Sequence, residues 1–553
     1  MAGKKFEMIF RKGRPLSEGA YPGFKPRTEK AEGMIIEYDV AVPMRDGVKI
    51  YIDVFRPEAE GKYPPLIAWG PYGKHGLIKY WMLGNTGLND NDFNEYTKFE
   101  AADPVYWCRN GYVIINADQR GSWSSEGDLT LMSPQEVEDC YDLIEWAGTQ
   151  PWSNGKVGMT GVSYLAWIQW KVAAAHPPHL AAINPWEGVS DFYRELGYHG
   201  GIPETRFNPM CYEFWCFSKT RAENYAEMVK RHPLFDDYWA SKNADLTKIT
   251  VPAFVVASWT DHGLHNRGTL EGFKKISSKE KWLLVHGRKK WWHFYRPENA
   301  ERLRQFFNHF LKGIDNHVKD WPKVRIEVRE EYYVGKSRNE NEWPIARTKY
   351  TKLFLNASDG KMSKSPFKTE AQVSYKVDDI TDKTQNAKFE IKFDEKTELT
   401  GHIKLKLWVQ ADGSDDMDLF VAIEKFDRSG NLVPFAFFGN HDDGPVALGW
   451  LRVSHRELDE EKSTPYQPVH KHTREIKLKA SEIVPVEIEL WPSSTLFERG
   501  EKLRVIVQGS DIYWYPEEMH TNGHTATVNK GEHVIYTGGK YDSHLLVPVI
   551  PAD

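Results

Sequence analysis

The sequence predicts a mostly parallel β-sheet covered by helices on both faces, interrupted by a helical insertion and followed by an all-β sandwich or jelly roll. Three observations carry this. Short continuous apolar runs alternate with helical-period segments between residues 64 and 311, an aromatic-rich stretch from about Asp191 to Thr250 breaks that rhythm, and beyond Leu311-Lys-Gly313 short strands dominate.

The first element is a hairpin: residues 34 to 56 alternate apolar and polar on both sides of Arg45-Asp46-Gly47. Buried strands are then expected at Pro64 to Trp69, Gly111 to Ala117, Val157 to Met159, Ala181 to Asn184, Ala253 to Trp259 and Lys281 to His286. Helices are expected at Pro134 to Gly148, Tyr164 to Ala175, Asn266 to Ile276 and Pro297 to Leu311. Ligands of such a sheet sit at the carboxyl ends of its strands. The insertion, with Glu213-Phe-Trp-Cys-Phe and His232-Pro-Leu-Phe-Asp-Asp-Tyr-Trp, reads either as a cap over that cleft or as an extra aromatic-packed helical layer. In the C-terminal part, strands at Lys404 to Val409, Leu419 to Glu424, Leu503 to Gln508 and His533 to Tyr536 are punctuated by Ser429-Gly430-Asn431 and Arg499-Gly500.

Composition narrows the function. The 553 residues are 41% hydrophobic and 27% charged, a globular balance, and the net charge of −6 with interspersed signs supplies no positive field for nucleic acid. Four scattered cysteines make neither a disulfide framework nor a thiolate zinc site and fit a cytoplasmic protein. No window approaches the ~20 apolar residues of a membrane span. Asp412, Asp415, Asp416 and Asp418 lack the spacing of a calcium loop and read as a solvated turn, so no metal or other cofactor is expected.

The chemistry points to a serine. Lys156-Val-Gly-Met-Thr-Gly161-Val-Ser163-Tyr164-Leu165 runs from a strand through a glycine-flanked serine into a helix, a geometry that exposes a nucleophilic hydroxyl and sets the amides of Ser163 and Tyr164 at a positive helix end. The general pattern wants a small residue where Leu165 stands. In doubly wound hydrolases an acid and then a histidine follow the serine. Asp261 lies just beyond the Ala253 strand, and Val285-His286-Gly-Arg-Lys-Lys290-Trp-Trp-His293 offers two imidazoles. His286, ending its strand before Gly287, is the favoured base; His293 is the alternative or an imidazole stacked among aromatics. Tyr72, in the irregular Gly70-Pro71-Tyr72-Gly73-Lys74 loop, is a candidate oxyanion donor beside the Tyr164 amide. Asp118-Gln-Arg120-Gly121 reads as a buried Asp-Arg pair that shapes a loop.

With Arg45-Asp-Gly, Pro71-Tyr72-Gly-Lys, Asp118-Gln-Arg-Gly, Gly161-Val-Ser-Tyr-Leu-Ala, Trp259-Thr-Asp-His and Phe306-Phe-Asn-His-Phe-Leu-Lys-Gly in order, the chain resembles the cocaine-esterase-like (CocE/NonD) hydrolases, relatives of X-prolyl dipeptidyl aminopeptidases. The likeness runs from about residue 35 to the C-terminus. It implies an N-terminal arm over 1–34, an α/β-hydrolase domain over 35–190 and 251–315, a helical cap over 191–250 and a C-terminal jelly-roll β-sandwich over 316–553. It also implies Ser163 as nucleophile, Asp261 as acid and Tyr72 as oxyanion tyrosine, while the family's histidine would fall near position 290, a lysine here. Many members carry no glycine at Leu165's place.

These readings converge on a serine hydrolase acting on carboxylic esters of bulky or aromatic small molecules through an acyl-enzyme. The alternatives are an X-prolyl dipeptidyl peptidase or amide acylase, with Glu204, Glu213 or Asp236 anchoring a substrate amine, and an inactive ligand-binding protein. A small-molecule substrate is the expected partner; a homodimer is left open.

Overall fold

The computed structural model describes residues 6–19, 21–75, 84–515 and 521–551. The hairpin pairs β1 (Met34–Pro43) with β2 (Lys49–Pro57), and its turn closes by a Met44 amide to Val48 carbonyl bond of 2.8 Å, with Gly47 at φ +86°. The sheet continues through β3 (Pro65–Gly70), β4 (Val113–Asp118), β5 (Val157–Val162), β6 (Leu180–Trp186), β7 (Ala253–Ser258), β8 (Lys281–His286) and β9 (Val324–Glu331) in the order β1-β2-β4-β3-β5-β6-β7-β8-β9, parallel from β4 onward. All six expected core strands are present: Lys281–His286 matches to the residue, those begun at Val157 and Ala181 are each longer by three residues, and the other three differ by one or two residues at an end. The arm contributes Arg27–Ala31, antiparallel to β1, so pairing begins before the hairpin.

The parallel strands are buried along nearly their whole length because both faces are covered. A methyl placed on Gly158 would meet Phe307 and Leu311, and one on Gly161 would meet Leu165. Three residues apart on a strand, those positions face opposite sides, so the helices Pro297–Lys312 and Tyr164–Ala173 flank β5 on its two faces. Within the sheet, β3 and β5 are neighbours although β4 lies between them in sequence. This is the switch point where a crevice opens beyond the strand ends, and Tyr72 follows β3 as Ser163 follows β5.

The insertion holds helices Phe207–Trp215, Tyr225–Arg231 and Asp237–Lys242, but it is not purely helical: Arg221–Glu223 pairs with arm residues Phe10–Lys12. Tyr238 and Trp239 are fully buried, so part of its aromatic content is core.

The C-terminal domain is β-rich and antiparallel. Thr397–Asp412 pairs with Val484–Phe497, Glu532–Thr537 and His544–Ile550, while Asp418–Phe426 pairs with Ala447–Arg452 and Lys502–Gln508. Their inward side chains form a second apolar core, including Leu405, Leu419, Ile488, Val505 and Leu545. Two of the aspartates expected in a solvated turn are buried instead: Asp418 holds Arg452 at 2.7 Å and Asp416 holds Lys477 at 2.8 Å. Arg120 likewise pairs with Asp139 at 2.6 Å rather than Asp118, which receives the Lys74 amide at 2.6 Å. All four cysteines are free and buried. Among the described residues, no helix is long and apolar enough to cross a membrane.

Candidate active site

Ser163 occupies the turn between β5 and the helix Tyr164–Ala173 with φ 58° and ψ −120°, a region costly for a residue with a β-carbon and typical of a nucleophile held on a tight turn. The turn is packed from below. A β-carbon on Gly161 would lie 2.6 Å from Leu165 Cβ, so Leu165 fills the space that Gly161 leaves. The Ser163 amide donates to the Trp186 carbonyl at 3.1 Å, which removes it from the expected oxyanion donors. The Tyr164 amide remains, in the first helical turn where amides have no intrahelical acceptor.

The imidazole that meets the serine belongs to His265. Its Nε2 lies 3.1 Å from Ser163 Oγ, and its Nδ1 hydrogen-bonds Asp261 Oδ2. The arrangement matches the tautomer in which Nδ1–H donates to Asp261 and Nε2 accepts from the serine. Asp261 stands three residues beyond β7, and His265 caps the helix Asn266–Lys275, so one turn of chain supplies both groups. The Asn266 amide closes that turn on the Asp261 carbonyl at 3.1 Å.

Lys290, in the short helix Lys290–Phe294 after β8, donates from Nζ to Asp261 Oδ2 at 3.0 Å and lies 3.2 Å from His265 Nδ1. Burial opposes its charge, but Asp261, Glu187 and Glu100 more than compensate and raise its pKa. Burial would push Asp261 up; Lys290 and His265 hold it well below the usual carboxylate range. Burial and the adjacent ammonium bring His265 down to about 4, against the pull of Asp261. Glu187, Asp261 and His265 present ligand atoms within 4.8 Å of one another, and the Lys290 ammonium is the cation placed against them.

Neither expected base reaches the serine. His286 pairs in register with Ser258, and both turn to the Glu187 carboxylate, His286 Nε2 at 3.1 Å and Ser258 Oγ at 2.8 Å. The His293 ring lies 3.9 Å from that of His286 and 5.9 Å from Trp186, and burial drives its pKa well below the ordinary value.

Tyr72 is fully buried, and its hydroxyl hydrogen-bonds Ser163 and Glu100. Burial raises its pKa well above 10, Glu100 adding to the effect. Glu100 is itself pushed up to about 8 by burial and accepts from Trp291 Nε1 at 2.8 Å. The Tyr72 loop is anchored by a buried network in which Lys74 Nζ meets Asp39 at 2.6 Å and His75 Nδ1 meets Asp53 at 3.0 Å.

Comparison with known proteins agrees with this picture. The model of the X-Pro dipeptidyl-peptidase (S15 family) matches residues 46–213 and 212–295, and that of the X-Pro dipeptidyl-peptidase C-terminal non-catalytic domain matches 316–546. A CocE/NonD family hydrolase from Staphylococcus aureus superposes with a TM-score of 0.90 at 46% identity over 94% of each chain. The chain belongs to the CocE/NonD hydrolase family. It is thus a serine hydrolase with an α/β-hydrolase-type domain and a β-rich C-terminal domain. Cocaine esterase from Rhodococcus sp. (strain MB1 Bresler) is 24% identical over 93% of this chain and 98% of its own, and an α-amino acid ester hydrolase shares the fold with a TM-score of 0.69 at 19% identity over 95% and 98%.

The structure thus brings Ser163, Asp261, Tyr72 and the Tyr164 amide to one crevice and leaves His286 and His293 outside it. His265 was missed, although Asp261-His-Gly-Leu-His265 carries a signal: acid and histidine four apart share one face of a helical turn.

Proposed function

We propose that this enzyme hydrolyses carboxylic esters of bulky or aromatic small molecules by two-step acyl transfer, with Ser163 as nucleophile, His265 as general base and Asp261 as its orienting acid. The contact chain from Ser163 Oγ through the His265 ring to Asp261 carries the reading. His265 takes the serine proton as Oγ attacks the carbonyl carbon, and Asp261 stabilises the imidazolium so formed. That imidazolium protonates the departing alkoxide; water, deprotonated by the same ring, then attacks the acyl-enzyme, and as the intermediate collapses the ring returns its proton to Ser163 Oγ and the acid is released. The Tyr72 hydroxyl and Tyr164 amide stabilise the oxyanion at each stage. No step calls for a metal or organic cofactor.

An ester substrate is favoured over a peptide by the fate of the three candidate amine anchors. Glu204 accepts the amides of Arg206, Phe207 and Asn208 at 2.9, 2.8 and 2.8 Å, Asp236 caps a helix through the Tyr238 amide at 3.0 Å, and Glu213 faces Arg11 at 3.2 Å. The likeness to cocaine esterase and the Trp167 ring 5.7 Å from that of His265 support an aromatic substrate. In the same reading residues 191–250 cap the crevice, and the enzyme works in the cytoplasm. The expected jelly roll over 316–553 starts later, beyond β9, because Val324–Ile326 joins the first sheet beside β8, and it is supported by two antiparallel strand groups around one core.

A fluorophosphonate probe should label the wild type and fail on Ser163→Ala. His265→Ala should lose about 10³-fold or more in kcat/KM on an aryl ester, with His286→Ala and His293→Ala retaining most activity. An equal loss in His286→Ala and none in His265→Ala would refute the assignment, and faster turnover of a glycyl-prolyl anilide would overturn the ester preference.

A further inference from the structure

Glu100 stands against the nucleophile and has no part in the acyl transfer above. Its backbone carbonyl accepts the Val162 amide at 3.0 Å, so it holds the chain one residue before Ser163. Its φ of +64° is uncommon for a residue with a β-carbon, a conformation that persists where the surrounding structure over-determines it and that gathers at functional sites. The residue is only 2% exposed. Oε1 accepts the Trp291 indole N–H at 2.8 Å, and Oε2 is buried and accepts from no donor among the described residues. The Phe99 ring, next to it in the chain, packs 5.2 Å from that of Tyr72, and the Glu100 carboxyl hydrogen-bonds the Tyr72 hydroxyl. A carboxylate kept ionised in a dry site collects donors on both oxygens; this one has a nitrogen donor on one oxygen only.

The direction of the Glu100–Tyr72 hydrogen bond decides what the tyrosine can do, because a phenol has one proton. An ionised Glu100 is an acceptor only. It takes that proton, leaves none to point at a substrate's carbonyl oxygen, and sets a like charge beside the oxyanion. A neutral Glu100 gives its own proton to the Tyr72 oxygen instead. The hydroxyls then run in one sense, from Glu100 to Tyr72, from Tyr72 to Ser163 Oγ and from Ser163 to His265 Nε2, and a substrate oxygen entering the crevice takes the Tyr72 proton in place of Ser163 Oγ. Burial favours the neutral form of Glu100 and raises its pKa to about 8. Of the groups that face it from neighbouring elements, Lys290 lowers that value and Asp261 raises it, while Tyr72, Tyr295 and Cys211 are themselves raised well above their ordinary values by burial and stay neutral.

We propose that Glu100 is a positioning residue for the oxyanion tyrosine: as an uncharged acid it donates to the Tyr72 hydroxyl and thereby aims the Tyr72 proton at the developing oxyanion. This rests on the serine-hydrolase reading. Glu100 acts on the reaction through Tyr72.

The test is the pH dependence of kcat/KM on a neutral aryl ester for wild type, E100Q and E100L. In wild type kcat/KM should fall above about pH 8 as Glu100 ionises, towards a floor about 10²-fold lower, the effect of losing one oxyanion donor. The uncharged amide in E100Q still donates to Tyr72 and accepts from Trp291, so its activity at about pH 7 should stay within about threefold of wild type and the basic limb should disappear up to about pH 10. E100L has no donor and should lose about tenfold or more at about pH 7, in kcat and not in KM. Thermal melting checks the fold of both variants, and if E100L does not fold the E100Q profile decides alone. A wild-type profile flat from about pH 7 to 10, a basic limb that persists unchanged in E100Q, or an E100Q as slow at every pH as Tyr72→Phe would overturn the positioning role. Failure of the underlying reading looks different: no variant turns over the ester and the fluorophosphonate leaves Ser163 unlabelled.

Discussion

Replacing Lys290 by methionine should move the acid limb of the pH profile upward while leaving the fold intact. In the wild type the Lys290 ammonium lies 3.2 Å from His265 Nδ1, and with burial it keeps the imidazole unprotonated down to about pH 4. Two unit charges ~4 Å apart at an effective dielectric of ~20 repel by about 4 kcal/mol, equivalent to about three pKa units. Less than that should appear, because Glu187, which also faces Lys290, holds a proton more readily once the ammonium is gone and so pulls less on the ring. The acid limb of kcat/KM on a neutral aryl ester should therefore start near pH 4 in wild type and rise by about one to two units in the variant. Methionine keeps the volume, so thermal melting should confirm folding. A wild-type limb near the ordinary histidine value, or a limb that stays or falls in Lys290→Met, would refute the electrostatic argument.

Tyr72→Phe should lower kcat by about 10²-fold or more with little change in KM, because in the proposed mechanism its hydroxyl serves the oxyanion and not the bound substrate; a loss confined to KM would count against that role. Stability should fall in mild acid. His199, His262 and His533 are held at about 3, and His265, His402 and His470 at about 4, by burial, each below its unfolded value. The unfolded chain thus binds protons that the native one refuses as pH drops below about 6.5, and each group costs at most about 1.4 kcal/mol per pH unit down to its folded pKa. His75 acts oppositely: Asp39 and Asp53 overcome burial and raise it to about 9, so its contribution is complete below about 6.5 and lost as pH rises through 9. Differential scanning fluorimetry should find the melting temperature dropping steeply between pH 6.5 and 4.5; a flat profile there would show that these imidazoles charge in the native state.

Much was legible in the chain because local patterns answer to local physics. Continuous apolar runs became buried parallel strands, Lys281–His286 to the residue, and the helix at Pro134 begins where Ser133 caps the Glu136 amide at 3.1 Å. Ser163 and Asp261 were readable as strand-end residues, since a doubly wound sheet gathers its strand ends along one edge. The base was not. His286 has the right place in sequence, but its register beside Ser258 aims it at Glu187, and whether an imidazole turns to the serine or to a neighbouring carboxylate depends on which strands adjoin. Tertiary structure alone put Lys290 against Asp261 and opened the geometry in which His265, one helical turn from its acid, closes the chain of contacts.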